Sequence, residues 1–339
     1  MIDSPDDTTD GRMPKTAVLL HNLGAPSGEE EMRPFLERLF SDPEIITLPL
    51  SRFFQVPLAR WIAKRRAPGA WKKYASIGGS PTLEWTKLQA AGIAIGLTEY
   101  MPRDDVIVLP AMRYSPPFVG DALEQAHTWG AERLLSFSLY PQYSTTTTGS
   151  SEREMERCLE AMAWRPDIVR VSEWSADSAY LDCMAWRLRR GIDRLPTEHR
   201  QSAHIVFSAH GTPQSFADAG DPYVAQIDAT VDGIKARLDS DLDASLAFQC
   251  RVGPATWTRP YLDRHVRELA AQGVRALLVL AVSFVADHVE TLHELDVETK
   301  ELAVAAGIEY FERADSLNAD PDFLGALTGI AARALGVGG

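Results

Sequence analysis

Phe207-Ser-Ala-His-Gly-Thr-Pro213 sets a histidine, His210, at the end of a predicted strand, where a neutral imidazole can accept a proton or bind a metal. Alone, that pattern is more often a histidine satisfied by its own neighbours. A second strand changes the balance by running into Asp287-His-Val-Glu-Thr-Leu-His-Glu-Leu-Asp-Val-Glu298. Glu290, Glu294 and Glu298 follow at intervals of four and share one helical face. Like charges at that spacing repel unless cations or protons intervene, and the dipole of a first turn offsets only part of the cost. A surface turn rich in acids accounts for Asp287. Three carboxylates down one face point instead to a path for protons or divalent cations.

These groups need a scaffold, and its rhythm is legible. Short apolar runs alternate with longer helical patterns, as in parallel-sheet α/β architecture. The pattern predicts strands at 16–22, 105–110, 133–139, 167–171, 203–208, 245–250 and 275–284. Helices are predicted at 28–40, 82–98, 118–129, 151–162, 176–193, 222–239, 258–272, 288–306 and 320–335, several opened by a Ser, Thr or Asp able to cap the first turn.

Two strand ends repeat. Val18-Leu-Leu-His-Asn-Leu-Gly-Ala-Pro26 aligns with Ile205-Val-Phe-Ser-Ala-His-Gly-Thr-Pro213, which sets Leu23 in the place of His210. Val108-Leu-Pro-Ala-Met-Arg113 aligns with Leu246-Ala-Phe-Gln-Cys-Arg251, and, more weakly, Leu135 to Tyr140 aligns with Leu280 to Phe284. Two similar halves would present their strand C-termini to a shared crevice, where open α/β sheets bind ligands. Gly24 lies 89 positions before Arg113, whereas Gly211 lies 40 before Arg251, so the first half carries about 49 extra residues. Within that insertion, 45–83 holds no acid but has Arg52, Arg60, Lys64, Arg65, Arg66, Lys72 and Lys73 among Phe53, Phe54, Trp61, Trp71 and Tyr74. Such a segment suits a flat apolar ligand with anionic edges or an anionic membrane; the plainer alternative is a solvated helix with buried aromatics.

Composition narrows the class. With 339 residues, 45% hydrophobic and 24% charged, the chain suits two globular domains or one large one. Its longest apolar run, Ala276 to Ala286, which includes the small polar Ser283, is far shorter than the roughly 18 residues of a membrane span. The first 15 residues, with Asp3, Asp6, Asp7 and Asp10, are expected to form a disordered tail without secretory character, consistent with a cytoplasmic location. Cys158, Cys183 and Cys250 are too scattered for a disulfide framework or a zinc or iron-sulfur motif. A net charge of −13 argues against a nucleic-acid partner. His21-Asn-Leu-Gly-Ala-Pro-Ser-Gly28 has no G-x-G-x-x-G, and no Walker motif occurs, so a nucleotide-dependent oxidoreductase is poorly supported.

Taken together, the motifs carry a resemblance. F-S-A-H-G-T-P followed by Gly220-Asp-Pro-Tyr223, Gln249-Cys-Arg-Val-Gly-Pro-Ala-Thr-Trp257 and D-H-V-E-T-L-H-E-L-D, with Arg33 to Pro49, Ile77-Gly-Gly-Ser-Pro81, Met112-Arg-Tyr114 and Tyr140-Pro-Gln-Tyr-Ser144, resemble ferrochelatase motifs in order and spacing. The similarity runs from about residue 16 to Leu335. The resemblance implies an α/β, chelatase-like fold of two similar Rossmann-like domains, each with a parallel four-stranded sheet flanked by helices and with the active-site cleft between them. Its expected divisions are a tail at 1–15, an N-terminal domain at 16–165 with a porphyrin-gripping lip at about 45–83, a C-terminal domain at 166–315, and a helix at 316–339 packing back on the first domain. It implies insertion of Fe2+ into a porphyrin, a terminal step of haem biosynthesis, with a non-catalytic porphyrin or haem carrier as the alternative.

By the same resemblance, His210 and Glu290 are the catalytic pair, facing each other across the cleft. Those two, with Glu294 and Glu298, are the candidate metal-handling groups, and Asp296 extends the acidic helix. Leu23, Tyr74, Ser80, Arg113, Tyr114, Trp257, Phe284, Asp287 and His288 match positions that line or support the porphyrin pocket. Metallation removes two pyrrole protons while the ion sheds water, so His210 could take protons or hold iron. Three departures are informative. Leu23 stands where relatives carry Met or Tyr. Thr145 stands where animal members have a cluster cysteine, so no iron-sulfur cluster and no other tightly bound cofactor is expected. Gly69 replaces a lip lysine, although Arg66 is kept. Ile77-Gly-Gly-Ser-Pro81 and the aromatic lip lean towards protoporphyrin IX over coproporphyrin III, and the basic lip towards peripheral membrane association.

Overall fold

A computed structural model describes residues 13–45, 52–251 and 255–337. The four tail aspartates, residues 46–51 of the insertion, the side chains of Arg52, Phe53 and Phe54, and Val252, Gly253 and Pro254 of the Gln249–Trp257 motif lie outside the described residues. Eight strands form two parallel sheets among the described residues. The first joins β1 (Thr16–Asn22), β2 (Val106–Met112), β3 (Arg133–Ser138) and β4 (Asp167–Val171) in the order β2-β1-β3-β4. The second repeats that order as β6-β5-β7-β8, from β5 (His204–His210), β6 (Ala244–Gln249), β7 (Ala276–Ala281) and β8 (Tyr310–Arg313). Strands covered on both faces read as nearly unbroken apolar runs, and Ala276–Ala281 is buried throughout.

The helices, in chain order, are α1 (Glu29–Ser41), α2 (Arg52–Ser76), α3 (Thr82–Leu97), α4 (Val119–Trp129), α5 (Ser150–Met162), α6 (Ser178–Arg194), α7 (Gln214–Asp218), α8 (Tyr223–Lys235), α9 (Leu262–Ala271), α10 (Lys300–Ala306) and α11 (Pro321–Leu335). Between β7 and α10, Glu290–Thr299 winds as a wider π-helix, a form that often marks functional sites. The sequence reading expected an ordinary α-helix there. It left out β8 and weighed α2 only as the plainer alternative for the acid-free segment. The first is a four-residue edge strand, Tyr-Phe-Glu-Arg, with no apolar run to reveal it.

The second contains Pro57 and Pro68, residues that argue against a helix interior. Tertiary packing outweighs them: Ala59 and Ala63 let α2 sit against Met32, Phe35, Leu36 and Phe40 of α1, with Ile62, Ala67, Ala70 and Trp71 alongside. The acid-free segment is thus largely one helix, with Trp71 and Tyr74 packed inward and Trp61 53% exposed.

One core joins the lobes. Val18, Leu20, Leu135 and Phe137 from the first sheet share a buried cluster with Ile205, Phe207, Leu278 and Leu280 from the second, closed by Phe323, Leu327 and Ala331 of α11. Glycines at positions 92 and 96 of α3 let α11 approach closely, because a Cβ there would strike Leu324 and Thr328. No helix among the described residues is long and apolar enough to cross a membrane.

Sheet register sets the first repeat pair two residues out of step with the other two. Val18 pairs with Val108 and Leu135, whereas the residue paired with Leu246 and Leu280 is Phe207 rather than Ile205. A shift of two keeps every side chain on its own face, which is why the apolar pattern did not expose it. Counted from the second and third repeat pairs, the place of His210 falls on His21; counted from the Gly-x-Pro pair, it falls on Leu23. His21 is 1% exposed and neither ring nitrogen has a hydrogen-bond partner. Burial lowers its pKa to about 4, so the first lobe's histidine is a neutral core residue.

Candidate active site

His210 ends β5, and the loops after β5, β6 and β7 meet around it. Its backbone N–H donates to Ser283 Oγ at 2.9 Å and its carbonyl accepts from the Tyr223 hydroxyl at 3.0 Å. The next residue must be small: a Cβ on Gly211 would lie 2.8 Å from the Gln249 carbonyl. Gln249 at the end of β6 accepts a hydrogen bond from Ser208 and donates one to the Glu290 carbonyl at 3.2 Å. Buried polar groups thereby fix the helix start against the strand end.

His210 Nδ1 lies 3.0 Å from Glu290 Oε2. The side chains are 36% and 25% exposed, respectively. The pair does not face itself across the cleft, as the resemblance suggested, because both residues belong to the second lobe and touch. Burial opposes charge on His210, but the carboxylates of Glu290 and Glu294 overcome it and raise its pKa above the usual imidazole value. Burial likewise disfavours the Glu290 carboxylate, yet His210 and His288 hold it well below the ordinary carboxylate range. Glu294 moves the other way, raised by burial and by the charge of Glu290.

The acidic row is less uniform than its spacing implied. Glu294 accepts from the Cys250 backbone N–H at 2.9 Å and from its thiol at 2.6 Å. Asp296 is held by two hydrogen bonds from Arg313, at 2.7 and 2.9 Å. Glu298 pairs with Lys73 of α2 at 2.7 Å and lies 3.4 Å from His293, whose other nitrogen meets Ser76 Oγ at 2.8 Å. These contacts tie the end of α2 to the acidic helix. Asp287, expected at a surface turn or on the pocket wall, is instead enclosed by Arg313, Ser316, Asn318 and Thr291. Its carboxyl is disfavoured by burial, but Arg313 and the surrounding donors depress its pKa.

The remaining predicted residues divide into walls and supports. Phe284 stacks edge-on between His210 and His288, with ring centroids 6.2 and 4.3 Å away. Trp257 forms an isolated bridge with Pro213 and packs near Gly211. Leu23 and Tyr74 pack in the first lobe's cluster with Tyr114. Burial and then the charge of Glu290 raise the Tyr74 phenol, which relates this first-lobe ring electrostatically to the pair. Tyr114 is 1% exposed and, with Arg113 and Ser150, donates to Asp42 at the end of α1. Arg113 and Tyr114 therefore support the wall from behind. Ser80 bonds Thr82 at the start of α3, and no contact joins it to the pair.

Two residues were missed. Tyr140, after β3, is a buried phenol raised by burial, lowered in part by the Leu23 backbone and raised again by Glu290. Cys250 adopts a left-handed backbone, φ 58°, that sets it beside the pair. One ligand atom each from His210, Cys250 and Glu290 lies within 4.8 Å of the others. Burial and the charges of Glu290 and Glu294 push its thiol well above the usual range. The repeat carried the signal for Cys250, since it follows a strand end aligned with the first lobe, but an isolated cysteine reads as ordinary core.

A family model described as Ferrochelatase matches residues 15–335. A ferrochelatase of Gloeobacter violaceus is 39% identical over 337 residues, covering 96% of this chain and 99% of its own. One from Synechocystis sp. is 41% identical over 319 residues, covering 93% and 81%. Among solved structures, SirB from Bacillus subtilis with Fe3+ superposes with a TM-score of 0.57 at 10% identity, covering 95% of this chain and 96% of its own. The sirohydrochlorin chelatase SirB from Bacillus subtilis subspecies spizizenii with cobalt gives 0.54 at 10% identity over the same shares. At that identity the two structures show a common fold.

Proposed function

The chain belongs to the ferrochelatase family, and from that premise we propose that His210 takes the pyrrole protons while Glu290 holds the charge this creates. A ferrochelatase is a metal chelatase of the lyase class, with a porphyrin and Fe2+ as substrates. The observation that carries the assignment is the 3.0 Å contact of His210 Nδ1 with Glu290. An imidazole donating through Nδ1 keeps its Nε2 lone pair for a proton, and a carboxylate beside it stabilises the imidazolium that forms. Glu290 and Glu294 have pKa values driven apart, the signature of one carboxylate kept charged and one ready to be protonated. Protons leave His210 past Glu294. Leu23, Tyr74 and Tyr140 from the first lobe and Phe284, His288 and Trp257 from the second would grip the ring, with exposed Arg66 and Lys72 of α2 available to its propionates.

We assign protoporphyrin IX as the preferred ring, on the strength of Ile77-Gly-Gly-Ser-Pro81 and the aromatic residues of α2. Initial rates under anaerobic conditions with Fe2+ are expected to be about tenfold higher, on the scale of one or two lost apolar contacts, for protoporphyrin IX than for coproporphyrin III. Equal rates or the reverse order overturn the preference.

The outer face of α2 also supports peripheral attachment to an anionic membrane. Val56, Arg60, Trp61, Lys64 and Arg65 are all exposed on it, and Arg65 lies over the Trp61 ring at 4.4 Å. Cofloating with vesicles containing an anionic phospholipid should fall as salt rises, and should fall further in a Trp61→Ser, Lys64→Glu variant. Flotation indifferent to both changes removes the attachment.

A further inference from the structure

We propose that Cys250 joins His210 and Glu290 as the third donor of a site for a thiophilic divalent cation of the Zn2+ class, occupied before porphyrin binds. This deepens the reading of the same pair and rests on it. The three ligand atoms lie within 4.8 Å of one another. Zinc bonds of about 2.0 to 2.3 Å place tetrahedral donors roughly 3.3 to 3.8 Å apart, so contraction by about 1 Å closes the site. Three protein donors with a fourth position open is the coordination of zinc sites that exchange ligands.

Three features hold the sulfur in place. The left-handed backbone of Cys250, φ 58°, turns the residue out of the line of β6. Both Glu294 oxygens bind it, one at the backbone N–H and one at the thiol, 2.9 and 2.6 Å away. Gln249, the preceding residue, is anchored to Ser208 and to the Glu290 carbonyl. Burial and the charges of Glu290 and Glu294 favour the thiol over the thiolate, and a bound dication opposes that preference. The proton released as the metal–sulfur bond forms has Glu294 as its acceptor.

Charge and softness then set the selectivity. A thiolate and a carboxylate neutralise a dication in this half-buried position, whereas Glu290 alone leaves an excess positive charge. Sulfur favours Zn2+, Co2+ and Cd2+ over Fe2+. A cation held here occupies the lone pair that His210 needs for proton transfer. Thiophilic metals should therefore inhibit iron insertion through this cluster.

Titration of the porphyrin-free protein with Co2+ tests the site. A near-ultraviolet thiolate-to-cobalt charge-transfer band is expected at one equivalent, retained in a Cys158→Ser, Cys183→Ser variant and lost in both Cys250→Ser and Cys250→Ala. Zn2+ affinity, read by competition with a chromophoric chelator, should weaken by at least roughly 10-fold in the Cys250 variants, the lower end of what a metal site loses with a mere supporting group. Absence of the band from the native protein, or its survival in the Cys250 variants, overturns the proposal. Catalytic and metal readings separate cleanly: a band without porphyrin metallation leaves this site standing and removes the base role, and metallation without a band does the opposite.

Discussion

His210→Ala lowers the rate of porphyrin metallation by roughly 10³-fold, the scale of a lost general base, while porphyrin still quenches tryptophan fluorescence at near-native concentrations. The substitution is well suited to the question because the contacts that fix residue 210 are made by its backbone. Ser283 accepts from its N–H and Tyr223 donates to its carbonyl, and both survive the loss of the ring. What disappears is the imidazole between the ring-binding space and Glu290. Stopped-flow absorbance separates binding from insertion, since only insertion converts the free-base spectrum into that of a metalloporphyrin. Turnover within a few-fold of native would remove His210 from the chemistry.

Glu290→Gln is the second large effect, a slowing on the order of 10²-fold, set against a change within about threefold for Glu298→Gln. The two residues belong to one helix and the same spacing pattern, but their surroundings differ. Glu290 is the counter-charge of His210 at 3.0 Å. Glu298 is 43% exposed and already satisfied by Lys73, an arrangement of small net energy. Glutamine keeps the shape of position 290 and removes its charge. The imidazolium then loses its main stabilisation, so the pKa of His210 falls and the acidic limb of the pH–rate profile moves to lower pH. A larger effect at Glu298, or an acidic limb that stays in place, contradicts the roles given to the pair.

The legible parts of the molecule are those in which local chemistry and tertiary demand coincide. β5 announces itself through an apolar run closed by Gly211, which the Gln249 carbonyl leaves no room to replace. Glu290 was legible because a carboxylate row costs stability without a purpose. Elements whose stability comes from elsewhere were not. α2 passes through Pro57 and Pro68 because α1 offers it an apolar bed, and β8 exists because β7 supplies an edge to pair with. The spacing of the acidic helix showed charge but not partners: Arg313 comes from the following strand, which the sequence did not reveal, and Lys73 from the first lobe, and they remove Asp296 and Glu298 from the free row. The placing of His210 and Glu290 in one lobe was legible from the domain division, but their direct 3.0 Å contact was not, since a repeat of strands reveals which ends converge and not which side chains touch. Cys250 was hidden by its solitude in the sequence, and its role in the cluster depends on a backbone turn that apolar patterning does not encode.

The identical strand order of the two sheets carries a consequence for how such a cleft can be asymmetric at all. Two separate copies of one lobe, related by a twofold axis, must repeat every substitution on both sides of their interface. A reactive imidazole on one face would then oppose an equal one, and two acidic helices would repel across the gap. Covalent fusion lifts that constraint. On the first lobe His21 is sealed and uncharged in the core, while Leu23 and Tyr74 pack on that side of the cleft. Joining the lobes in one polypeptide thus turns a symmetry-bound surface into two independently adjustable ones.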